Sequence, residues 1–392
     1  MKKIIPWIIV MSIIGGLSWV SYHYFMTQQS FEQNAAYNCV PENSPFVFEI
    51  KNLHELTTIT GYRNKIHEAL KAISSYNLFT DKLFKLDTAL FTDQLVKTFF
   101  DEQPVLITAG ITGKNKFDFL YLIGFSKQEY MDAGVSFIRN YFGTTDGWEE
   151  RDYDNNRIFY SGKTQNQIFY ATVNGTLIIS PNNKLVESAL QQSNRQSLIV
   201  TDPEFTEIMR TAGKNALANL YINHVQLPGF LSLFIDKNFS NTFGKLDSYS
   251  SWSEFDISIK DQELFLNGFS LSNNIQSYLH VFNGQKPVAI NVVSVLPANT
   301  STFLAMGISD VDAFRKGYRS FQGFNNLSSQ YLDELSALKE KCKIDIEDEI
   351  YGLIDQEIVL AFTKINSNDP FKNSFLIMKT HSHSQALNTL TE

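Results

Sequence analysis

Two histidines one residue apart, His381 and His383, come nearest to a metal pair in this 392-residue chain. On a strand, residues i and i+2 share a face, so both imidazoles would be presented together. No third ligand stands near them. Asp152-Tyr153-Asp154-Asn155-Asn156 opens like a calcium loop. Its sixth position is Arg157 where the loop needs glycine, and its twelfth is Lys163 where it needs glutamate, so it reads as a polar turn. His54-Glu55 and His67-Glu68 begin H-E-x-x-H patterns that Thr58 and Lys71 leave unfinished. Ser336 and Lys339 have S-x-x-K spacing without the SDN and KTG partners of that chemistry. Gly110, Gly113 and Lys114 lack the spacing and the hydroxyl of a P-loop, and there is no G-x-S-x-G. Spacing therefore assigns no catalytic, cofactor-binding or metal-ligating residue. Asp152, Asp154, His224, Asp256 and His280 remain as groups that a fold would have to bring into one cleft for hydrolysis.

Positioning such groups needs a core, and the composition supplies one. The chain is 43% hydrophobic and 19% charged, which excludes a disordered spacer and leaves room for two domains. It carries 41 acidic against 33 basic residues, a net charge of −8, and no Lys/Arg-rich block. That balance argues against nucleic acid as a partner. Two cysteines are too few for a disulfide scaffold or a zinc ribbon.

The N-terminus sets the compartment. Lys2 and Lys3 precede an uncharged stretch from Ile4 to Met26, enough at 1.5 Å per residue to span a ~30 Å hydrocarbon core. Lysines on the short side predict an N-in, C-out signal-anchor, with Trp19, Tyr22 and Tyr24 at the outer interface. The alternative is a cleavable signal peptide with Ile4–Ile14 as its apolar region and Gly16-Leu17-Ser18 as its cleavage site. Both export the body, and the first places a single-pass protein in the inner membrane with its body facing the periplasm. Residues 27–39 read as a polar tether. Cys39 would lie in it, and Cys342 in an apolar helix stripe, so a bridge between them is an open question in an oxidising compartment.

Beyond the tether, strands and helices alternate. Residues 45–50, 104–111 and 117–125 read as strands, the last two a hairpin around Gly113-Lys114-Asn115. Ser126-x-x-Glu129 reads as a capping box, Ser180-Pro181 and Thr201-Asp202-Pro203-Glu204 as further helix starts, and Asn174-Gly175 as a two-residue hairpin turn. Strands 251–259 and 263–270 flank a turn at Lys260-Asp261-Gln262. Hairpin-linked strands interrupted by helix pairs predict an α+β fold: a large, mostly antiparallel sheet with packed helices.

The chain also repeats itself. Pro41 and Pro297, Asn43 and Asn299, Phe119-Leu120 and Phe375-Leu376, and Ser126-x-x-Glu129 and Ser382-x-x-Gln385 are all offset by 256 residues. The expected domains are a transmembrane segment over 1–26, the tether over 27–39, a first α+β repeat unit over 40–292 and an incomplete second unit over 293–392. Glu392 falls opposite Ser136, inside a helix of the first copy, so the chain reads as a piece of something longer.

The segments VPENSPFVFEI (40–50), GTLIISPNNKLVESAL (175–190), LIVTDPEFTEI (198–208), ANLYINHVQL (218–227), SWSEFDISIKDQELFLNGF (251–269) and VLPANTSTFLAMG (295–307) resemble membrane-anchored proteins of Bacteroidetes-type bacteria that carry a DUF3352 domain, a family of unknown function. The likeness covers most of residues 40–310 and consists of strand ends and caps. It implies an N-terminal anchor, a long exported body and a C-terminal β-propeller-like region, and it carries no active-site residue across. The reading is a non-enzymatic binding or scaffolding module of the cell envelope. It expects contact with the membrane through its N-terminal helix and with an envelope protein, and no cofactor. The alternatives are a carrier holding a hydrophobic ligand between sheet and helices, and a hydrolase whose catalytic groups are scattered in sequence.

Overall fold

The computed structural model describes residues 35–59, 65–72, 77, 80–81, 84–85, 88–89, 103–143, 147–161, 167–195, 198–234, 245–260, 263–343, 345–364 and 371–391. The stretch 4–26 and its reading as an anchor lie outside them. Among the described residues no helix is long and apolar enough to cross a membrane. The chain forms two compact units, one comprising residues up to Asp247 with Ser251–Ser270, the other Ser248–Ser250 with Leu271–Glu392.

The first unit is α+β. Its strands are β1 (Phe46–Ile50), β2 (Val105–Gly113), β3 (Lys116–Gly124), β4 (Trp148–Tyr153), β5 (Asn156–Ser161), β6 (Phe169–Val173), β7 (Thr176–Ser180), β8 (Ala218–Asn223), β9 (Trp252–Lys260) and β10 (Glu263–Ser270). They form one sheet in the order β10-β9-β8-β1-β2-β3-β7-β6-β5-β4, and every neighbouring pair is antiparallel. The hairpin turns follow from local chemistry. Asn174 and Gly175 both take positive φ, 46° and 78°, as a type I′ turn requires. Asp154 and Asn155 do the same at 47° and 61°, so the calcium-like segment is a tight turn between β4 and β5. Every residue of β7 is buried. This strand lies inside the sheet and is covered on both faces, hence its unbroken apolar run TLIIS.

Helices cover both faces. On one, α1 (Leu53–Ile59) and α2 (Gln128–Tyr141) deliver Leu53, Leu56, Phe137 and Ile138 to a cluster with Ile50, Val105, Ile123, Tyr170 and Ile179. On the other lie α3 (Asn183–Asn194), α4 (Pro203–Met209) and a 3-10 turn over Ala35–Cys39. That turn corrects the tether reading for its last residues: Ala35, Ala36, Tyr37 and Cys39 are buried. Two alanines in succession allow the chain to pass close beneath α3 and against β3 and β7. Two helix starts also differ from expectation. α2 begins at Gln128, after Lys127, which makes no side-chain cap bond, so Ser126 and Glu129 do not form a capping box. α3 begins at Asn183, where Asn182 Oδ1 accepts from the Lys184 amide at 3.0 Å. Ser180 instead ends β7, its hydroxyl donating to the Phe119 carbonyl at 2.8 Å. At α4 the expected Asp-Pro start holds: Asp202 caps the Glu204 amide with Pro203 in the first turn.

The second unit holds β11 (Thr302–Gly307), β12 (Ile354–Phe362) and β13 (Ser374–Thr380) in that order, all antiparallel. Helices α5 (Val311–Phe324) and α6 (Ser328–Cys342) join β11 to β12, and α7 (His383–Thr391) follows β13. The first unit has the same succession of strand, helices, hairpin and helix in β1, β2, β3 and α2, with the three strands in the same spatial order. The core of the second unit gathers Val281, Ile308, Phe314 and Phe321, with Met306 and Ile358 packed against it. Residues 271–292 therefore pack in this unit, through the 3-10 turn Tyr278–Phe282, and not with the first repeat as the sequence suggested.

Candidate functional site

A concentration of ionisable groups inside the first unit lies on the sheet face beneath α4. Register sets it out. Glu49 on β1 pairs with Asn219 on β8, which pairs with Asp256 on β9; one row along, Tyr221 pairs with Glu254. Asp202 holds α4 over this face, since its second carboxylate oxygen accepts from Trp252 Nε1 at 3.0 Å. Phe205 of α4 packs against the rings of Tyr37, Tyr221 and Trp252. Glu254 is fully buried there.

One amide joins the two carboxyl groups. Asn219 Nδ2 donates to Glu254 Oε1 at 3.0 Å and to Asp256 Oδ1 at 2.5 Å, while the Gly213 amide donates to Asp256 Oδ1 at 2.7 Å. Thr211 Oγ1 reaches Glu254 at 3.5 Å. The Lys51 ammonium donates to the Gly213 carbonyl. Burial raises the Glu254 carboxyl from its ordinary 4.5 to about 7, and its hydrogen bond to Asp256 adds to the rise. Glu49 is also raised by burial, with Lys51 partly opposing. The arrangement can keep the Glu254 carboxyl protonated up to about neutrality. Its sequence trace is slight: Glu254 and Asp256, two apart on a strand, share a face.

A second buried polar chain lies on the opposite sheet face. His224 Nε2 stands 2.7 Å from Ser253 Oγ, which stands 2.6 Å from Ser270 Oγ. Burial pushes the His224 imidazole down from 6.5 to about 4. A neutral histidine contacting a hydroxyl is the geometry of an activated nucleophile. Ser253, however, is 1% exposed, which denies a substrate access to it. The chain ties the end of β8 to the edge pair β9–β10.

A family model described as a protein of unknown function, DUF3352, matches residues 130–392, well over half of the chain. The chain belongs to the DUF3352 family. Comparison with curated proteins and with solved structures finds no match. The matched stretch contains Asn219, His224, Ser253, Glu254 and Asp256 and the whole of β11–β13, whereas Tyr37 and Glu49 precede it.

In this DUF3352 protein Asp152 and Asp154, His224, and Asp256 do not converge within the first unit. Asp152 and Asp154 lie in the β4–β5 hairpin, and β4 is eight strand positions from the β9 of Asp256, on the order of 38 Å along the sheet. His224 bonds through its amide to Ser251, five residues from Asp256, or about 16 Å. His280 belongs to the second unit and contacts the Ser272 carbonyl through Nδ1 at 2.7 Å. The H-x-H pair is not on one strand face either: β13 ends at Thr380 and α7 starts at His383. His381 Nδ1 lies 3.4 Å from Asp355, which Lys379 also meets at 2.9 Å. Among the described residues no cluster of three or more His, Cys, Asp or Glu could hold a metal ion.

Cys39 is a free, buried thiol, pushed up to about 12 by burial. Maleimide is expected to leave it unmodified in the native chain and to label it once urea unfolds the first unit. Mass spectrometry of the Cys39 peptide checks this, and rapid native labelling would contradict the packing of Ala35–Cys39.

Proposed function

We propose that this DUF3352 protein is a non-enzymatic binding module of the cell envelope, anchored in the inner membrane by its N-terminal segment, with its body in the periplasm and an envelope protein as partner. One observation carries the binding reading. Leu304, Leu360 and Leu376 stand directly across from one another on β11, β12 and β13, and Leu304 and Leu376 are 70% and 58% exposed. Phe371, just before β13, is exposed as well. Contiguous bare apolar surface of this kind marks interaction sites more often than chance exposure does. The anchor rests on the uncharged run from Ile4 to Met26 behind two lysines. Within the first unit, the separation of Asp152 and Asp154 from His224 and Asp256 speaks against the hydrolase alternative.

Two measurements test the reading. Deleting residues 1–26 is expected to release a body that stays in the supernatant on ultracentrifugation; continued co-sedimentation with membranes overturns the anchor. In a Cys342→Ser background, Leu376→Cys is expected to react with maleimide in the native full chain within about tenfold of the rate in urea. Protection at that position would show that the row is covered and would remove the basis for a binding face.

A second reading, the carrier of a hydrophobic ligand, draws on an aromatic cluster in the first unit. Phe117 meets Phe119, Phe230 and Phe234 edge to face at centroid distances of 5.2–5.4 Å, and Phe46 meets Phe230 at 5.7 Å. Phe234 is exposed. Native mass spectrometry of the purified chain should then show a co-purified lipid; a bare mass excludes the carrier.

A further inference from the structure

We infer that the first unit docks on the surface of the bilayer through an aromatic patch beside the β2–β3 turn; this rests on the anchored reading and adds a second contact with the same membrane. The patch continues a covered face. Phe48 of β1 and Tyr121 of β3 pack against the cluster beneath α1 and α2. Phe46, Phe119 and Phe117 stand at even spacings from them on the same strands, so they carry the same face toward the turn. There the cover gives out. Ile111, directly across from Phe117, is 54% exposed, and Phe119 is 38% exposed. A short helical turn, Leu227–Leu231, brings Phe230 against Phe46 and Phe117, and Phe234 meets both Phe117 and Phe230 edge to face. Phe234 is itself 58% exposed.

Charge and reach select the bilayer as the occupant. Lys114 and Lys116 stand exposed at the turn, beside Ile111 and Phe117. The nearest acid in sequence, Asp118, belongs to the opposite face of β3, where Thr112 Oγ1 donates to it at 2.8 Å and Asn182 Nδ2 at 2.9 Å. On a chain of net charge −8 the patch thus has a local basic rim. Exposed rings bordered by lysines suit the headgroup boundary: the rings enter the acyl edge and the ammonium groups meet lipid phosphates. Ala35–Cys39 is packed into the first unit, and only nine residue steps separate Met26, the end of the uncharged run, from Ala35. Fully extended, they cover ~30 Å. Ala36 lies against Gly124, at the far end of β3 from Phe117 and about 24 Å from it along the strand. The anchor therefore holds the unit close enough for the patch to reach the headgroups, at an effective concentration that lets a weak contact form. Alone the contact is of the marginal, reversible kind, so the body freed of residues 1–26 still remains in the supernatant.

The test uses the full chain in nanodiscs of phosphatidylcholine and phosphatidylglycerol, with a share of the lipids carrying a doxyl quencher near the headgroup. An NBD fluorophore is attached through Phe234→Cys, Ile111→Cys or Asp152→Cys, each in a Cys342→Ser background. Asp152 is the control, its side chain 94% exposed in the β4–β5 hairpin. Quenching at 234 and 111 is expected to exceed that at 152 by at least about threefold. Lys114→Glu with Lys116→Glu should reduce the quenching at 234 at least about twofold, and Lys184→Glu, exposed on α3 at the other face, should leave it unchanged. Equal quenching at the three positions, or quenching at 234 that survives reversal of both lysines, overturns the inference. A label at 234 that shifts to the blue without quenching, in a chain that sediments as a dimer, makes the patch a contact between copies and also overturns it. A chain that leaves the nanodiscs altogether loses the anchored reading and the inference with it. A chain that stays in them unquenched at 234 and 111 loses the inference alone.

Discussion

Glu254→Gln is expected to stabilise the first unit by about 2 kcal/mol at pH 8 and to leave it unchanged at pH 5. The reasoning starts from burial. Glu254 is fully enclosed, and its carboxyl is raised from 4.5 to about 7, first by desolvation and then by the bond to Asp256. The folded state thus retains a proton that the unfolded chain has released. The contribution is fully present below pH 4.5 and is lost as pH rises through 7, leaving a buried charge to be accommodated at pH 8. A full shift of that size corresponds to about 3 kcal/mol, and the donors Asn219 and Thr211 soften it. Glutamine has the shape of the protonated acid. It can donate to Asp256 and accept from Asn219 Nδ2, and it cannot ionise. Urea unfolding at the two pH values checks the expectation, with the first unit followed through Trp148 and Trp252. Equal effects at both pH values, or a loss at pH 8, would show that Glu254 is ionised in the folded state at neutrality.

Much of the fold was legible because local chemistry decides it. Asn174-Gly175 takes positive φ without penalty, and Asp202-Pro203 caps and starts α4. The alternation over 252–270 produces β9 and β10 around the expected turn. Ser126 misled because a capping pattern competes with the strand before it: the chain leaves β3 through buried Phe125, whose amide bonds to the Gly175 carbonyl, and helical geometry begins only at Gln128. Ala35–Cys39 misled for a different reason. A short apolar run beside a polar tether has no periodicity, and only α3, about 150 residues later, supplies the surface that buries it. The carboxyl site belongs to the same class. In SWSEFDIS the alternation puts the acids at 254 and 256 on one strand face, and that face is covered by α4 through contacts such as Phe205 with Trp252, which are not local. The 256-residue offset was visible as identities.

His224→Gln should have the opposite pH signature to Glu254→Gln. Burial holds this imidazole at about 4 against an ordinary 6.5, so the unfolded chain takes up a proton that the folded state refuses. Its contribution to stability is present above pH 6.5 and is lost as pH falls toward 4. Between pH 5 and 8 the wild-type chain carries two opposed slopes, from His224 and from Glu254, and these largely cancel. Removing either one exposes the other. Glutamine at 224 can still reach Ser253 Oγ, now 2.7 Å from Nε2, and keep the Ser253–Ser270 contact, so little change is expected at pH 8. At pH 5 the variant should be more stable than wild type by about 2 kcal/mol. The two sites are on opposite faces of the sheet, so the double variant should gain at both pH values and recover a level profile. A double variant that kept a slope toward acid would place the proton uptake elsewhere than His224. One that kept a slope toward alkali would assign it to Glu49, the other carboxyl raised by burial on the same face as Glu254.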